Sequence, residues 1–316
     1  MAKTTKPRAH DGASLALLAD IFDAGSLTTA ARNLGTSQPA LSKRLQRVEQ
    51  ALGVSVFERG TRGVVPTEYG AALLPRARSI RAQSRQAAEE IAQMRGKREG
   101  HITLALSHLA AIALLPRVIP AFRSSWPAVT VAISPPSFQF AGLREGAPDF
   151  AVISLPREHP GSEFSTRALY TSRLVAVVRP GHPLAATRSL AALRDAEWIL
   201  PSLDSATAFA LERAFKRARL GNPRCPVTCE TLTGLESLVL ASDLIGMVPL
   251  EVHERRSPAS GLMRLPLDQA IEGPHVALVR WADARPTPAC AAMAEMFVAA
   301  GHQLARGRRG QVREMM

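Results

Sequence analysis

The sequence predicts a mixed α/β protein built in three parts along the chain. Short helical patterns meet at a glycine within residues 26–60, a heptad pattern runs through residues 73–94, and strands alternate with helices from residue 101 onward. In chain order, these observations predict a small helical module, one long helix and an α/β region with room for two lobes.

Two short helices are predicted on either side of Gly35. Ser26 and Ser37 suit their N-caps, Gly35 suits the left-handed position after the first helix, and Pro39 suits the first turn of the second. Apolar residues at helical spacing form the buried faces: Leu27, Ala30, Ala31 and Leu34, then Leu41, Leu45, Val48 and Leu52, with Leu15, Leu18, Ala19 and Phe22 in a preceding helix. Three short helices around one core predict a helix-turn-helix module.

The outward side of the second helix carries side chains that suit DNA: Gln38, Ser42, Lys43, Gln46 and Arg47. Glutamine can bind adenine, while lysine and arginine can bind guanine or phosphate. An ordinary solvated helix face would look the same in isolation. The elements around it favour DNA, because a predicted hairpin over 54–63 follows with Arg59 and Arg62 near its tip, as in a DNA-binding wing.

Positive charge is concentrated at the two ends of the chain. The net charge is +12, and residues 1–100 carry 16 Lys and Arg against 9 Asp and Glu. Residues 302–316 carry 4 against 1, whereas the region between them is nearly balanced. The N-terminal excess fits a nucleic-acid-binding surface. The stretch 306–310 is predicted to be disordered.

One long helix is predicted after the hairpin, with Thr67 as its N-cap and with Gly96 and Gly100 at its end. Its heptad positions are Leu73, Ala77, Ile80, Ser84, Ala87, Ile91 and Met94. No second apolar stripe lies beside this one in the sequence, so we expect an arm that pairs with a second copy of the chain. Pro75 is expected to bend the helix or to limit its start.

From residue 101 the alternation of strands and helices predicts a mostly parallel sheet and two α/β lobes. The predicted strands are 101–107, 129–134, 149–154, 173–178, 197–201, 226–230, 245–248 and 275–281. The predicted helices are 109–125, with Pro116 as a break or kink, 206–219, 233–241 and 287–304. Such domains bind small molecules in a cleft at the carboxyl ends of the strands.

An enzyme is disfavoured by the motifs. The sequence has no GxSxG, P-loop, GxGxxG or HExxH motif, and its histidines lack metal-ligand spacing. Glu89 and Glu90 are neighbours on a predicted helix and therefore point to different sides. We predict no catalytic residue, no cofactor and no metal.

A thiol redox sensor is the alternative that keeps DNA binding. The chain has three cysteines, Cys225, Cys229 and Cys290, and no recognisable signal peptide, which predicts a reducing cytoplasm and no disulfide framework. Cys225 and Cys229 straddle a predicted strand and are expected on the same face, about 13 Å apart. That separation is too great for a disulfide without rearrangement.

Five short motifs carry a family resemblance: AlaAlaArgAsnLeu at 30–34, SerGlnProAlaLeuSer at 37–42, ArgValGlu at 47–49, LeuGlyValSerValPheGluArg at 52–59 and ProThrGluTyrGly at 66–70. Together they resemble the LysR-type transcriptional regulators, and the similarity covers nearly the whole chain. Residues 92–103 are similar to the stretch before the effector domain in regulators of aromatic sulfonate catabolism. Val48 stands where the family often has leucine, a conservative change in the core.

The resemblance implies a winged helix-turn-helix at 1–66, a dimerising linker helix at 67–96 and a periplasmic-binding-protein-like effector domain at 97–305. Lobe one is placed at 101–164 and 268–301, lobe two at 165–267, and a basic tail at 306–316. The implied partners are a double-stranded DNA operator, a small-molecule effector, RNA polymerase and further copies of the chain, as a dimer and then a tetramer. The implied location is cytoplasmic, with no membrane partner.

The residues predicted to contact DNA are Ser26, Thr28, Ser37, Gln38, Pro39, Ser42, Lys43, Arg44, Gln46, Arg47, Arg59 and Arg62. Those predicted to dimerise are Leu73, Ala77, Ile80, Ala87, Ile91 and Met94. The resemblance places the effector cleft at Ser107, His108, Ser137, Ser154, Ser202, Thr207 and Thr231. Hydroxyls and helix N-termini suit a carboxylate or sulfonate, although each hydroxyl could equally cap a helix or belong to a loop. His108 could pair with an anion near neutral pH.

Overall fold

The computed structural model describes residues 11–60, 63–135, 140–155, 161–255 and 261–314. Its N-terminal part consists of α1 (Gly12–Ala24), α2 (Leu27–Asn33), α3 (Gln38–Leu52), β1 (Phe57–Gly60), β2 (Gly63–Pro66) and the long α4 (Glu68–Met94). The predicted helices are confirmed, and a hairpin follows α3 as predicted, but its strands span 57–66 rather than 54–63. The three predicted N-caps, Ser26, Ser37 and Thr67, each accept a hydrogen bond from a backbone N–H in the first turn of the following helix.

The first half of the α4 heptad packs within its own N-terminal module, which the sequence did not reveal. Ala77 is fully buried in the core of the N-terminal module, and Leu73 packs against that core. Ile80 lies beside α1, since a Cβ added to Gly12 would be 3.4 Å from its side chain. The expectation that this helix lacks an apolar neighbour is therefore wrong for its first half, because α1 is that neighbour. Ala77 cannot belong to a seam between two copies unless the module opens.

Close packing fixes where α4 begins. The Thr67 N–H donates to the Val56 carbonyl, and a Cβ added to Gly70 would lie only 2.0 Å from that same carbonyl oxygen. Glycine at this position lets the helix start directly against the hairpin. Pro75 lies inside the helix, within two turns of its start.

The α/β region comprises strands and helices in the predicted order. The strands are β3 (Glu99–Leu106), β4 (Ala128–Ser134), β5 (Phe150–Leu155), β6 (Phe164–Val178), β7 (Glu197–Leu200), β8 (Arg224–Thr228), β9 (Ile245–Pro249), β10 (Met263–Arg264) and β11 (Ile271–Trp281). The helices are α5 (His108–Ser125), α6 (Ala141–Glu145), α7 (Ala206–Arg217), α8 (Leu232–Ala241), α9 (Leu250–Glu254) and α10 (Pro288–Glu314), with a 3-10 turn at Leu190–Leu193. The prediction missed the short elements α6, α9 and β10 and the 3-10 turn.

Several elements are longer or straighter than predicted. Strand β6 begins at Phe164 rather than at 173, and β11 begins at Ile271 rather than at 275. Helix α5 is continuous through Pro116 and Pro120, so no break occurs at Pro116. The helical backbone of α10 extends to Glu314, and the disorder predicted at 306–310 stays a prediction.

Strands β3 to β11 form one sheet with the order β4-β3-β5-β11-β6-β9-β7-β8, and β10 pairs with β6. The pairs of β3 with β4 and β5, and of β7 with β8 and β9, are parallel, but an equal number of pairs are antiparallel, so the sheet is mixed rather than mostly parallel as predicted. The long strands β6 and β11 run antiparallel to their neighbours and join the two halves of the sheet.

Each half of the sheet has its own core, and β6 and β11 pass from one to the other. Leu169 and Tyr170 of β6 pack in the core of lobe one, whereas Leu174 and the residues after it pack in the cores of lobe two. The crossover in β6 therefore lies between Tyr170 and Leu174, later than the predicted boundary at 165. The same clusters place the return within β11 after Ile271, so the boundary at 268 was also too early.

Candidate DNA interface, linker helix and effector cleft

Helix α3 presents one apolar and one polar side. Leu41, Leu45 and Val48 are buried in the module core, as predicted. On the opposite side, the exposed residues are Gln38, Pro39, Lys43, Arg44, Gln46 and Arg47, and Ser42 is half-buried. The predicted DNA-contacting residues that belong to α3 are thus on its solvent-exposed side.

The start of each helix of the pair is held by a serine. The Ser26 hydroxyl accepts from the Thr29 N–H at 3.1 Å and donates to the Thr29 hydroxyl, while Ser37 accepts from the Ala40 N–H at 3.3 Å. Thr28 is exposed in the first turn of α2. The two helix N-termini, with their partial positive charge, add to the basic face.

The wing is anchored to α3 by a residue whose role the sequence did not reveal. Glu49 accepts hydrogen bonds from the backbone N–H groups of Val56, at 2.8 Å, and Phe57. Arg59 pairs with Val64 through the backbone of the hairpin. The side chain of Arg59 and all of Arg62 lie outside the described residues, so their predicted contacts with DNA remain predictions.

Helix α4 is fixed to α1 by ion pairs. Arg78 and Arg81 both pair with Asp23, and Arg81 also pairs with Asp20 at 2.9 Å. Arg78 lies over the ring of Phe22 and comes within 3.7 Å of Glu145 in lobe one. Arg78 therefore connects the N-terminal module, the linker helix and lobe one.

Burial raises the pKa of the Asp23 carboxyl, but the hydrogen bonds and charges of Arg78 and Arg81 outweigh it and lower the pKa below 3.8. Such a group contributes stability above its unfolded pKa, and this contribution is lost as the pH falls through the folded pKa. We expect Asp23→Asn to lower the free energy of unfolding by about 1 kcal/mol or less near pH 7, since the pair is partly exposed.

Urea unfolding of wild type and Asp23→Asn at neutral and acidic pH measures this effect. The difference should shrink as the pH falls from the unfolded pKa of aspartate, about 3.9, through the lower pKa of the native Asp23 carboxyl. The control is Asp283→Asn, which removes an exposed carboxylate with no ion pair in the described part of the chain. A difference for Asp23→Asn that persists undiminished in acid contradicts the ion-pair account.

The end of α4 is fastened to lobe one by a buried glutamine. Gln93 is 8% exposed; its side-chain nitrogen donates to the Glu99 carbonyl at 3.0 Å, and its side-chain oxygen accepts from the Ala289 N–H at 2.9 Å. Gln86 donates to Asp149 at 2.7 Å, and Arg85 donates to the His101 carbonyl. The opposite side of the C-terminal half of α4 is exposed, and it carries Ala87, Ile91 (58%) and Met94 (71%).

The predicted effector residues lie at the carboxyl ends of neighbouring parallel strands. In lobe one, Ser107 follows β3 and caps α5 through the Ala110 N–H, His108 is exposed in the first turn of α5, and Ser154 is half-buried near the end of β5. Ser137 lies outside the described residues. The pairing of β3 with β5 brings Ser107 and Ser154 to one edge of the sheet.

In lobe two, the pairing of β7 with β8 brings the regions of Ser202 and Thr231 to one edge. Ser202 donates to Asp204 at 2.6 Å, and the cap of α7 is Ser205, not Ser202. Thr207 is buried in the first turn of α7. Thr231 is exposed at the N-cap position of α8, and its hydroxyl makes no capping hydrogen bond.

The two lobes meet beside Thr231. Leu232 packs against cores of both lobes, and Val252 of α9 belongs to the core of lobe one. Glu251, 4% exposed, accepts a hydrogen bond from Ser172 in the β6 crossover at 2.7 Å. No pattern in the sequence pointed to this buried pair, because it joins residues distant in the chain.

Family profiles match both parts of the chain. The profile described as "Bacterial regulatory helix-turn-helix protein, lysR family" matches residues 13–71, and that described as "LysR substrate binding domain" matches residues 95–302, more than half of the chain. The chain belongs to the LysR family. The fold expected from the motifs is thereby confirmed.

Individual LysR relatives are moderately similar. The regulator GbpR of Azospirillum brasilense is 33% identical over 204 residues, which are 63% of this chain and 60% of GbpR. GalR of Pseudomonas putida is 29% identical over 244 residues, 76% of this chain and 62% of GalR. The chain thus spans about three fifths of the length of these relatives. The structure of full-length CbnR complexed with its target DNA shares the fold, with a TM-score of 0.67 and 24% identity over 92% of this chain and 99% of CbnR.

The cysteines of this LysR protein are not arranged as predicted. The pairing of β7 with β8 contains an irregularity between Glu197 and Ile199, which face Arg224 and Val227. This bulge interrupts the alternation of side chains, so Cys225 packs against one core of lobe two and Cys229 against the core on the other face of the sheet. The expectation that they share a face is wrong.

Burial, with the charge of Glu212, raises the pKa of Cys225, and burial raises the pKa of Cys290 to about 12. Both thiols are therefore less reactive than an exposed cysteine at neutral pH.

No helix among the described residues has both the length and the apolar composition to span a bilayer.

Proposed function

We propose that this LysR protein is a transcriptional regulator that binds operator DNA through α3 and changes its DNA binding when a small molecule occupies the cleft between the lobes. The observation that carries the DNA assignment is the charge state of the α3 face. Lys43, Arg44 and Arg47 are exposed and form no ion pair with another described residue, whereas Arg78 and Arg81 on α4 are paired. Unpaired cations beside Gln38 suit phosphates and base edges.

The contact would extend to both sides of α3. Ser26 and Thr28 at the start of α2 and Ser37 at the start of α3 offer hydroxyls and backbone N–H groups to phosphates. Arg59 and Arg62 of the wing would follow the adjacent backbone or minor groove. Since operator DNA is chromosomal, the proposed location is the cytoplasm.

A dimer would place two α3 helices on two half-sites. The support for a seam along α4 is its exposed apolar side near the C-terminal end, formed by Ala87, Ile91 and Met94. Leu73 and Ile80 already pack within the protomer, so they would contribute only at the edge of this seam. A tetramer of two such dimers and a contact with RNA polymerase complete the proposed assembly at a promoter.

The proposed effector is a small organic anion such as an aromatic carboxylate or sulfonate. The N-termini of α5, α7 and α8 start just after the carboxyl ends of β3, β7 and β8, and such N-termini favour negative charge. Ser154 is the best candidate for a direct contact, because it is half-buried and its hydroxyl forms no hydrogen bond with another described residue.

We expect aromatic acids or sulfonates to raise the melting temperature of the protein. Ser154→Ala should lower the affinity for such a ligand about tenfold or more, because the variant loses a hydrogen bond to a charged group. Ligand titrations followed by thermal unfolding measure both. Ser189→Ala is the matched control, since it removes a hydroxyl that caps a turn elsewhere in lobe two. Equal affinities of the Ser154→Ala and wild-type proteins would remove Ser154 from the site.

The redox alternative has less support. Cys225 and Cys229 pack on opposite faces of the sheet, so a disulfide between them would require lobe two to rearrange. We expect that peroxide leaves the DNA footprint unchanged. If peroxide changed the footprint of the wild-type protein but not that of Cys→Ser variants, the redox alternative would be favoured over the effector proposal.

A further inference from the structure

A small cavity lies away from the proposed effector cleft, between the linker helix, the sheet of lobe one and the start of α10. Its volume is about 90 Å³. A cavity needs only about 10–15 Å³ of such volume to hold one water, so this one has room for a small ion of several atoms. Its floor is apolar and buried, formed by Phe150, Leu278 and Cys290.

The wall of the cavity carries three arginines. Arg167 on β6 lies opposite Leu278 on β11 in the sheet register, and Arg280 is two residues further along β11. The side chains of Arg167 and Arg280 therefore lie on the same face of the sheet as Leu278, the face covered by α10. Arg285 follows in the turn before α10. Cys290 and Ala291 in the first turn of α10 complete the wall. Their N–H groups already donate to Thr287, so α10 contributes its dipole but no free N–H group.

Two carboxylates also line the cavity, but both are occupied. Glu295 makes two hydrogen bonds to Arg167. Asp149 accepts from Gln86 through one oxygen and from the backbone and hydroxyl of Thr103 through the other. Arg280 and Arg285 form no ion pair with any other residue in the described ranges.

The thiol at the floor adds no negative charge. Burial, reinforced by Asp149, raises the pKa of Cys290 to about 12, so the thiol is neutral at physiological pH. The cavity therefore offers two guanidinium groups without an ion pair among the described residues, beside a neutral floor, although the hydrogen bond from Arg167 and, to a lesser degree, the charge of Arg280 lower the pKa of Glu295. This combination suits a small oxyanion, because guanidinium binds planar and tetrahedral oxyanions with paired hydrogen bonds.

We propose that this cavity is a binding site for one small oxyanion, either inorganic phosphate or a short carboxylate, held by Arg280 and Arg285. The site is separate from the cleft at Ser154 and does not depend on the proposed regulatory function. Its wall includes Gln86, which ties α4 to Asp149, so the anion lies against the contact that joins the linker helix to lobe one.

Isothermal titration of the full chain in chloride buffer tests the proposal, with inorganic phosphate in one arm and acetate in the other. We expect saturable binding of one ion per chain in at least one arm, and the arm that saturates identifies the chemistry. Arg280→Gln combined with Arg285→Gln should reduce affinity at least tenfold. Arg213→Gln combined with Arg217→Gln, in α7 of lobe two, should leave it unchanged.

Thermal unfolding without the ion shows whether the double variant is folded. If that variant is unstable, Arg280→Lys serves instead, because it keeps the charge but loses the paired hydrogen bonds, and it should weaken binding severalfold. Absence of saturable binding in both arms, or equal affinity in the Arg280 and Arg213 variants, overturns the proposal.

Discussion

Replacing Gln38 with alanine is expected to weaken binding to the specific operator by about fivefold to more than a hundredfold per half-site, because a paired contact with a base contributes about 1–3 kcal/mol. Gln38 is exposed in the first turn of α3 and has no role in the core. Binding to unrelated DNA should change little, since a base contact adds nothing there. Fluorescence anisotropy with an operator and a scrambled duplex measures both affinities.

Lys43→Ala should behave differently at the same face. If Lys43 contacts phosphate, affinity falls for both duplexes, and the slope of log K against log salt becomes about one unit shallower per half-site. Lys216→Ala is the matched control, because Lys216 is an exposed lysine on α7, outside the N-terminal module. Unchanged affinity of both the Gln38 and Lys43 variants would refute the assignment of α3 as the recognition helix.

Ile91→Asp combined with Met94→Asp is expected to convert the dimer into monomers and to weaken operator binding at least tenfold. Both side chains are largely exposed in the protomer, so a buried carboxylate would arise only in the seam between two copies. Binding then loses the second half-site, whose contribution depends on the link between the two modules. Sedimentation equilibrium gives the mass, and anisotropy gives the affinity.

The choice of residues in that variant follows from the packing of α4. A charge at Ile80 would also disturb α1, so a lost dimer could not be separated from a damaged module. Met263→Asp is the control, because it places the same charge at another exposed methionine in lobe two. A double variant that keeps the wild-type mass would show that the seam lies elsewhere.

Much of the fold follows from local sequence patterns. The caps Ser26, Ser37 and Thr67, the glycine after α2 and the alternation of strands with helices are all encoded within a few residues of where they act. Local rules of helix capping and periodicity therefore predicted the elements well. The exposed polar face of α3 was predictable for the same reason, since one helix positions all of its residues.

The features that the sequence did not reveal depend on residues far apart in the chain. Ala77 looked like one more heptad position until α1 was seen to cover it. The face of Cys229 depends on a bulge in the pairing of β8 with β7, which no pattern within β8 encodes. Gln93 lies outside the heptad positions and drew no prediction, but Glu99 and Ala289 make it a buried connection between α4 and lobe one. Such contacts are set by tertiary packing, which overrides local preference.

The most direct test of DNA recognition by α3 in a dimer is selection of duplexes from a random pool by the full chain, followed by affinity measurement on the selected sequence. We expect an interrupted palindrome whose half-sites are separated by about one helical turn or a multiple of it, bound at least about a thousandfold more tightly than scrambled DNA. The Gln38→Ala protein should fail to select it. Enrichment of no sequence, or of the same sequence by wild type and Gln38→Ala alike, would contradict the account.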